Sequence, residues 1–319
     1  MKTLHLSIIT IIFVIAFFST NSAFAQYGCP PTSGGWHPEI ATDQNNVYVF
    51  WNYFYDCGKK FLFLSASNDN GATFGNPVVM ADSSQSGSSP AVSASNGNLY
   101  VSWLRYFPIS TLFFKMSSEN GTTFGDAVTV DTNGTIQNDV QKVLVSGKNI
   151  GIIWTGIPQT NVRSIYLSES SDGGKSFGQP IILSATTGDS FYPQTIQVGT
   201  KAYLLWSSFG NCDSGRQACI SYVYFTTIDL NNGFATGSIT DLGPLGLPRI
   251  TVSGNNVYVA GITSTSSDPN ISTSGISFVK STDGGLSFEK SIQLVTDVAH
   301  PKYLNDLALD SSGDYVYVT

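Results

Sequence analysis

Charged residues are scarce in this chain, and cysteine, histidine and arginine are scarcer still. Lys, Arg, Asp and Glu make up 12% of the 319 residues, and 15 basic against 22 acidic residues give a formal net charge of −7. No run of like charge occurs anywhere in the sequence. Because nucleic-acid-binding proteins use basic stripes to displace counterions from phosphates, the composition argues against a nucleic-acid partner.

Long apolar runs are absent after the N-terminus. Lys2 precedes an apolar segment from Leu6 to Phe18 that is short for a membrane span, and Ala23-Phe24-Ala25 has the pattern of a signal peptidase site. We therefore expect a signal peptide at 1–25 and an N-terminal arm at 26–35, with an uncleaved anchor as the alternative. The mature chain is predicted to be secreted or held at the cell surface, without a stable membrane span.

Export would allow the cysteines to form disulfides and the N-glycosylation sequons to be used. The four cysteines are expected to form disulfides in an oxidising compartment, and of three possible connectivities we favour Cys29 with Cys57 and Cys212 with Cys219. A metal site is the alternative, but Cys-x6-Cys without a nearby His is poor zinc spacing, so neither a metal nor a cofactor is predicted. Sequons that permit glycosylation stand at Asn120, Asn133 and Asn270.

Helical periodicity is also missing, and its place is taken by a repeat of about 53 residues, rich in Gly and Asn turns. One marker is a strand pattern that ends in Trp51, Trp103, Trp154 and Trp206, at spacings of 52, 51 and 52. A second marker opens the preceding strand, at Pro38, Pro90, Asp139, Pro193, Pro248 and Pro301. Four short alternating strands per repeat predict the blades of an all-β propeller.

The third marker is an octet of the form Ser-x-Asp-x-Gly-x-x-Phe. It occurs at Ser67 to Phe74, Ser170 to Phe177 and Ser281 to Phe288, with Glu119 replacing Asp in Ser117 to Phe124 and a degenerate copy at Thr227 to Phe234. The octet resembles the Asp-box, or BNR, repeat of sialidase-like β-propellers, and the resemblance covers nearly all of the mature chain. It implies a structural turn between the third and fourth strands of each blade, held by Asp69, Glu119, Asp172, Asp229 and Asp283. A calcium loop would need further carboxylates.

The predicted fold is an all-β, six-bladed propeller of four-stranded antiparallel blades, with the sixth blade incomplete in this chain. The blades are expected near 36–82, 83–131, 132–185, 186–242 and 243–296, with a partial blade at 297–319. In that last repeat, Leu304 to Leu309 and Val316 to Thr319 are predicted strands joined by a turn at 310–314. We therefore expect the sequence to be a fragment of a longer protein.

Ligands are expected on the face that carries the loops between second and third strands and between blades, since these loops are long and varied. Aromatic side chains concentrate there, at Tyr53, Phe54, Tyr55, Tyr106, Phe107 and Phe209. With Arg216, the tyrosines are candidates for contacting a glycan or a protein ligand, although covering the blade ends is an equally good interpretation.

The resemblance also implies a possible catalytic set, because sialidases hold a carboxylate with three arginines and use a Tyr nucleophile, a Glu and an Asp acid. Only four arginines are present, and the place of the enzymes' Arg-Ile-Pro motif holds Trp36-His37-Pro38. The candidates are Arg105, Arg163, Arg249 and Glu39, with Asp56, Asp139, Asp189 or Asp306 as the acid. We therefore predict an exported glycan- or protein-binding module, with a sialidase-like exo-glycoside hydrolase as the alternative and a purely structural envelope protein as a third possibility.

Overall fold

Antiparallel β-sheets account for all the regular structure in the described part of the chain, which contains no helix. The computed structural model describes residues 36–54, 60–81, 88–106, 109–132, 136–157, 162–209, 221–264, 274–298, 307–312 and 315–318. No helix in these ranges is long and apolar enough to cross a membrane. The predicted signal peptide and all four cysteines, with their predicted disulfides, lie outside the described residues.

The described strands form six sheets, numbered here in chain order. The first sheet contains β1 (Trp36–Asp43), β2 (Asn46–Phe54), β3 (Lys60–Ser67) and β4 (Val78–Ala81). The second contains β5 (Ser88–Ser95), β6 (Asn98–Arg105), β7 (Thr111–Ser118), β8 (Thr123–Phe124) and β9 (Val128–Asp131). The third contains β10 (Ile136–Ser146), β11 (Asn149–Gly156), β12 (Ser164–Ser170) and β13 (Ile181–Ile182).

The remaining three sheets follow the same chain order. The fourth contains β14 (Asp189–Val198), β15 (Lys201–Phe209), β16 (Ser221–Asp229), β17 (Ala235–Thr236) and β18 (Thr240–Pro244). The fifth contains β19 (Gly246–Ser253), β20 (Asn256–Ser264), β21 (Ser274–Ser281) and β22 (Ile292–Val298). The sixth pairs β23 (Leu309–Ser312) with β24 (Tyr315–Val318).

Each sheet is a meander in which consecutive strands pair, as the predicted four-strand repeat requires. In the second and fourth sheets the outermost strand is split into two short strands. Both β8 and β9 pair with β7, and both β17 and β18 pair with β16. Local sequence explains the tight turns. Between β5 and β6, Asn96 and Gly97 both have positive φ, 52° and 74°, which is the type I′ geometry that matches the twist of a hairpin.

The C-terminal hairpin has a shorter turn than the sequence predicts. The structure places Asp310–Ser312 inside β23, where the sequence analysis expects a turn, and the two strands pair from Leu309 with Val318 to Ser312 with Tyr315. Cross-strand pairing thus extends farther toward the turn than the Asp-Ser-Ser-Gly-Asp composition suggests. Polar residues are tolerated in these strands because most of their side chains are exposed or half-buried.

A β-bulge interrupts the first strand of each of four sheets, at the position of the repeated proline. The register shifts lie between Trp36 and Glu39, Ser88 and Ala91, Phe191 and Gln194, and Gly246 and Arg249. The residue before the proline has positive φ at Ser89 (48°), Tyr192 (53°) and Leu247 (47°). Because a bulge changes the direction in which a side chain points, this site can expose a residue that regular alternation would bury.

Three of the octets have the same pattern of internal hydrogen bonds. Asp69 Oδ1 accepts from the backbone N–H of Thr73 at 2.9 Å, and Oδ2 accepts from the Thr73 hydroxyl at 2.6 Å. The Ser67 hydroxyl donates to Asp69 at 2.7 Å and accepts from Gly71 N–H at 2.9 Å. The same contacts recur around Asp172 and Asp283. The carboxylate and the serine hydroxyl therefore satisfy the donors of a turn that could not pair within the sheet.

The phenylalanine that ends the octet packs on the preceding sheet. Phe177 lies edge-on to Phe114 of β7, with ring centroids 5.2 Å apart, and Phe288 contacts Phe225 of β16 in the same way at 4.9 Å. Phe124 packs against the core that joins the first and second sheets. In these three octets the phenylalanine therefore links the turn to a neighbouring sheet.

Residue contacts divide the chain into two compact units. The first comprises the described residues up to Ile152 together with Ser170–Gln179, and its core includes Phe50, Leu62 and Trp103. The second comprises Ile153–Glu169 and the described residues from Pro180 onward, with a core that includes Tyr203, Phe225 and Val259. In each core, side chains from successive sheets cover one another.

Two adjacent glycines of the octet at 170–177 allow the contribution of turn packing to stability to be measured. Gly173 and Gly174 both have positive φ, 81° and 82°, but a Cβ at Gly173 would meet no other heavy atom within 4 Å, whereas at Gly174 it would overlap the Phe114 ring. We expect Gly173→Ala to cost about 1–2 kcal/mol of unfolding free energy through backbone strain alone. Gly174→Ala should cost about 1–3 kcal/mol more through overpacking, as measured by urea unfolding. Equal losses for the two variants would show that the octet does not press on the second sheet.

The octet carboxylates predict an acid-sensitive fold. Hydrogen bonds from the Thr73 side chain and backbone and from Ser67 lower the pKa of Asp69 from 3.8 to about 2, and hydroxyls of Ser176 and Ser287 lead in lowering the pKa values of Asp172 and Asp283. Because the folded pKa lies below the unfolded one, the stabilisation is complete above about pH 4 and is lost as the pH falls toward 2 and below. The unfolding temperature should therefore drop across this range.

Asp69→Asn is the matching variant, since it retains the shape of the side chain and cannot titrate. It should have a lower unfolding temperature at pH 6 and a shallower decline toward pH 2 than the unaltered chain. Asp126→Asn, at an exposed aspartate outside the octets, should follow the curve of the unaltered chain. An acid decline that is identical in all three proteins would assign the acid sensitivity to other groups.

Candidate functional site

A cluster of one ion pair and three aromatic rings lies in the second unit, at the end of the sheets that carries the loops predicted to bind ligands. It is called here the Arg163 cluster and consists of Arg163, Asp189, Phe191, Tyr192 and Phe209. Arg163 precedes β12, Asp189 begins β14 and Phe209 ends β15, so three separate segments converge. Sequence analysis named Arg163, Asp189 and Phe209 in separate roles, and the structure brings these three together.

The ion pair at the centre of the cluster is bidentate. Arg163 Nε donates to Asp189 Oδ1 at 2.9 Å and Nη2 donates to Oδ2 at 2.6 Å. The backbone N–H of Arg163 donates to Asp189 Oδ1 at 2.9 Å, and Ser190 N–H donates back to the Arg163 carbonyl at 2.9 Å. The fork geometry fixes both side chains, because a planar guanidinium matches the two carboxylate oxygens.

Aromatic rings cover the guanidinium. Arg163 Cζ lies 4.3 Å from the ring centroid of Phe191 and 5.6 Å from that of Phe209. The two rings contact each other at a centroid distance of 4.5 Å, and Tyr192 stands edge-on to Phe191 at 5.2 Å. A cation against ring faces is stabilised by the ring quadrupole, and the rings also exclude water from one side of the ion pair.

The ion pair stays charged through the ordinary pH range. Hydrogen bonds from Arg163 lower the pKa of the Asp189 carboxyl, and partial burial opposes this shift. The same contacts raise the pKa of Arg163. Asp189 is therefore a carboxylate held ionised. A general acid needs a raised pKa to keep its proton near neutrality, so the environment of Asp189 is opposite to that of a catalytic acid.

The segment that leads to Asp189 is held by a hydrogen-bond network centred on Thr187. Trp206 Nε1 donates to Thr187 Oγ1 at 3.0 Å, the Thr187 and Ser190 hydroxyls are 2.9 Å apart, and Ser208 donates to the Thr187 carbonyl. At its start, the Ser184 hydroxyl accepts from Ile165 N–H at 2.9 Å. These buried bonds anchor the connection on both sides, so the Arg163 cluster rests on a fixed backbone.

Tyr192 is the member of the cluster that faces solvent, with 53% of its surface exposed. It occupies the positive-φ position of the bulge in β14, and the equivalent residue of the next sheet, Leu247, is 42% exposed. An exposed ring beside a fixed ion pair offers an apolar face next to hydrogen-bonding groups. Sequence analysis missed Phe191 and Tyr192. Their signal was available, because they directly precede the repeated Pro193.

The other candidate arginines have local partners. Arg105 Nη2 donates to Thr111 Oγ1 at 2.9 Å, and its guanidinium carbon lies 5.1 Å from the Phe113 ring centroid. Arg249 Nη1 donates to the Pro248 carbonyl at 3.2 Å. The sequence prediction that these arginines and Arg163 serve a carboxylate stays a prediction.

The remaining candidates fall at several places in the sheets. Glu39 is half-buried on β1, and Asp139 lies on β10 with its side chain outside the described residues. Burial raises the pKa of Tyr53, whose ring stands edge-on to Phe63 at 6.4 Å, so Tyr53 is held protonated. Lys60 Nζ lies 5.4 Å from the ring centroid of Tyr106. Tyr55, Arg216 and the cysteines Cys29, Cys57, Cys212 and Cys219 lie outside the described residues.

In the described ranges no three His, Cys, Asp or Glu side chains are grouped so that they could hold a metal ion. The octet around Asp229 is the most degenerate of the five. Its carboxylate accepts from Asn231 N–H at 3.1 Å, and no contact equivalent to those of Asp69 is described for it.

Comparison with known proteins gives likeness of fold without likeness of sequence. No family model matches the chain, and no curated protein matches it either. Among solved structures, a Hadza microbial sialidase is similar with a TM-score of 0.51 and 12% identity, over 87% of this chain and 61% of the sialidase. An ulvan lyase of polysaccharide lyase family PL25 gives 0.53 and 10% identity, over 86% of this chain and 73% of the lyase.

A protein of unknown function from Dyadobacter fermentans has a TM-score of 0.51 at 11% identity, covering 84% of this chain and 85% of that protein. At these identities the likeness concerns the fold alone. Together with the repeated four-stranded antiparallel sheets, it shows that the chain has a sialidase-like β-propeller fold.

Proposed function

We propose that this chain is an exported carbohydrate-binding module with a six-bladed β-propeller fold, its sixth blade incomplete in this chain, and that the Arg163 cluster contacts the glycan. The observation that carries the proposal is the exposed Tyr192 ring beside the fixed Arg163–Asp189 pair. Sugar rings present apolar C–H faces and hydroxyl edges. An exposed aromatic ring suits the first, and the outer atoms of a charged pair suit the second.

Binding is favoured over catalysis by the state of the charged groups. Arg163 already places two of its donors on Asp189, so it is poorly suited to hold a substrate carboxylate in the same way. Asp189 is held ionised, whereas a catalytic acid must keep its proton near neutrality. Most glycoside hydrolases use a pair of carboxyl groups with different proton affinities, and sialidases use a Tyr nucleophile with a Glu and an Asp. The Arg163 cluster contains one carboxyl group.

The alternative is a sialidase-like exo-glycoside hydrolase, and its support is the likeness of fold to the microbial sialidase. In that proposal Arg105, Arg163 and Arg249 hold the sugar carboxylate, and Glu39 and Asp139 supply acid and base chemistry. The likeness to a polysaccharide lyase fold supports a glycan ligand under either proposal.

Tyr192→Ala tests the binding proposal. We expect the purified chain to bind selected members of a glycan array, and we expect the variant to bind those members at least tenfold more weakly, because the stacking surface is gone. Its unfolding temperature should change little, since half of the ring is already in solvent. Isothermal titration with the strongest array member gives the affinities.

Two control variants sharpen this test. Tyr192→Phe retains the ring and should retain most of the affinity. Tyr317→Ala removes a ring of similar exposure, 55%, from β24 and should leave binding unchanged. Undiminished binding of every array member by Tyr192→Ala would exclude the Arg163 cluster as the glycan contact.

Hydrolysis of a fluorogenic sialoside separates the two functions. We expect no turnover above that of buffer by the full chain. Turnover that Arg249→Ala abolishes would establish the hydrolase and displace the binding proposal.

A further inference from the structure

A cleft of about 460 Å³ opens on the octet side of the first unit, between the first and second octets. Its lining includes Asn46, Asn68, Phe74, Glu119, Asn120 and Thr122. The volume is within the range of small-molecule sites. The cleft shares no residue with the Arg163 cluster.

Replacement of Asp by Glu in the second octet changes the position of a carboxylate. In the first octet, Asp69 is bonded to Thr73 N–H and to the hydroxyls of Thr73 and Ser67. Glu119 has φ of 75°, and its Oε2 accepts only from the hydroxyls of Thr122 at 3.5 Å and Thr123 at 3.2 Å. Its Oε1 has no hydrogen bond in the described part of the chain. The longer side chain thus leaves acceptor capacity at the cleft.

Amide groups supply donors and acceptors around this carboxylate. Asn46 Nδ2 donates to Asn120 Oδ1 at 3.3 Å, which orients both amides and leaves the Asn120 Nδ2 donors for a ligand. Asn68 is exposed, and its amide makes no hydrogen bond with the described residues. Paired donors and acceptors of this kind match adjacent hydroxyl groups, each of which both donates and accepts.

Phe74 adds an apolar surface. The equivalent Phe177 and Phe288 pack edge-on against rings of the preceding sheet. Phe74 is half-exposed, as they are, and lines the cleft. A ring beside hydrogen-bonding groups is the arrangement that binds the C–H face of a sugar.

The negative charge of the cleft lining disfavours anionic sugars. Glu119 is its one charged residue, and no Lys or Arg lines the cleft. A sialic, uronic or sulfated sugar would place a second negative charge near Glu119 without a compensating cation, which is unfavourable. We propose that this cleft is a second ligand site, specific for an uncharged saccharide of one or two rings.

The test is ligand-observed saturation-transfer NMR with lactose, maltose, cellobiose and 3′-sialyllactose. The chain should be produced without N-glycosylation, because Asn120 lies in a sequon. We expect at least one of the three neutral disaccharides to bind and 3′-sialyllactose to bind at least tenfold more weakly than lactose if lactose is the ligand. Binding of none of the neutral disaccharides would overturn the proposal.

Variants assign the binding to the cleft. Glu119→Gln and Asn68→Ala should each weaken binding of the neutral disaccharide at least fivefold, without a fall in unfolding temperature, because both side chains are exposed. Glu289→Gln, at an exposed glutamate outside the cleft, should bind as the unaltered chain does. Binding that Glu119→Gln and Asn68→Ala leave intact would exclude this cleft.

Glu119→Asp distinguishes a binding role from a merely structural one. It retains the charge but restores the octet aspartate, so the carboxylate should return to the turn. We expect a higher unfolding temperature and weaker saccharide binding in the same variant, whereas a purely structural role predicts no loss of binding. Tyr192→Ala should leave this binding unchanged, so failure at the Arg163 cluster and failure at the cleft can be told apart.

Discussion

Each four-stranded sheet of this protein has two faces that need burial, and neither can be buried within the sheet itself. Phe50 and Leu62 of the first sheet share a core with Trp103 and Phe113 of the second, and Tyr203 and Phe225 of the fourth share one with Val259 of the fifth. Stacking of successive sheets is therefore the constraint on which the fold depends. The tryptophan and octet series recur at about the same period because both serve this stacking.

The octets couple turn formation to that stacking. In three of them a carboxylate and a serine hydroxyl satisfy the turn donors, and in two of these three the final phenylalanine, Phe177 or Phe288, packs onto the preceding sheet. A glycine such as Gly174 is needed where the turn lies against a ring, since a Cβ there would overlap Phe114. Local hydrogen bonding and long-range packing thus depend on the same eight residues.

Functional groups occur where this scheme is relaxed. At the loop end, the bulge before Pro193 turns Tyr192 to solvent beside the Arg163–Asp189 pair. At the octet end, the replacement of Asp by Glu119 leaves the carboxylate with fewer and longer hydrogen bonds to the turn and places it at a cleft. Both sites are small departures from a repeated unit. The surrounding repeats keep the backbone in place, so a departure of one or two residues alters the surface without altering the fold.

The sequence by itself determined the all-β class, the four-strand repeat and the turns, because alternation, Asn-Gly pairs and octets act over a few neighbouring residues. It also supplied Arg163, Asp189 and Phe209 as separate candidates. Only the tertiary structure decided that Asp189 pairs with Arg163, 26 positions away, and that Phe191 and Phe209 enclose the guanidinium. That arrangement depends on the register between strands that are distant in sequence, and on a bulge that shifts this register. A pattern of neighbouring residues specifies neither the register nor the bulge, so the contacts of the site follow only from the assembled sheets.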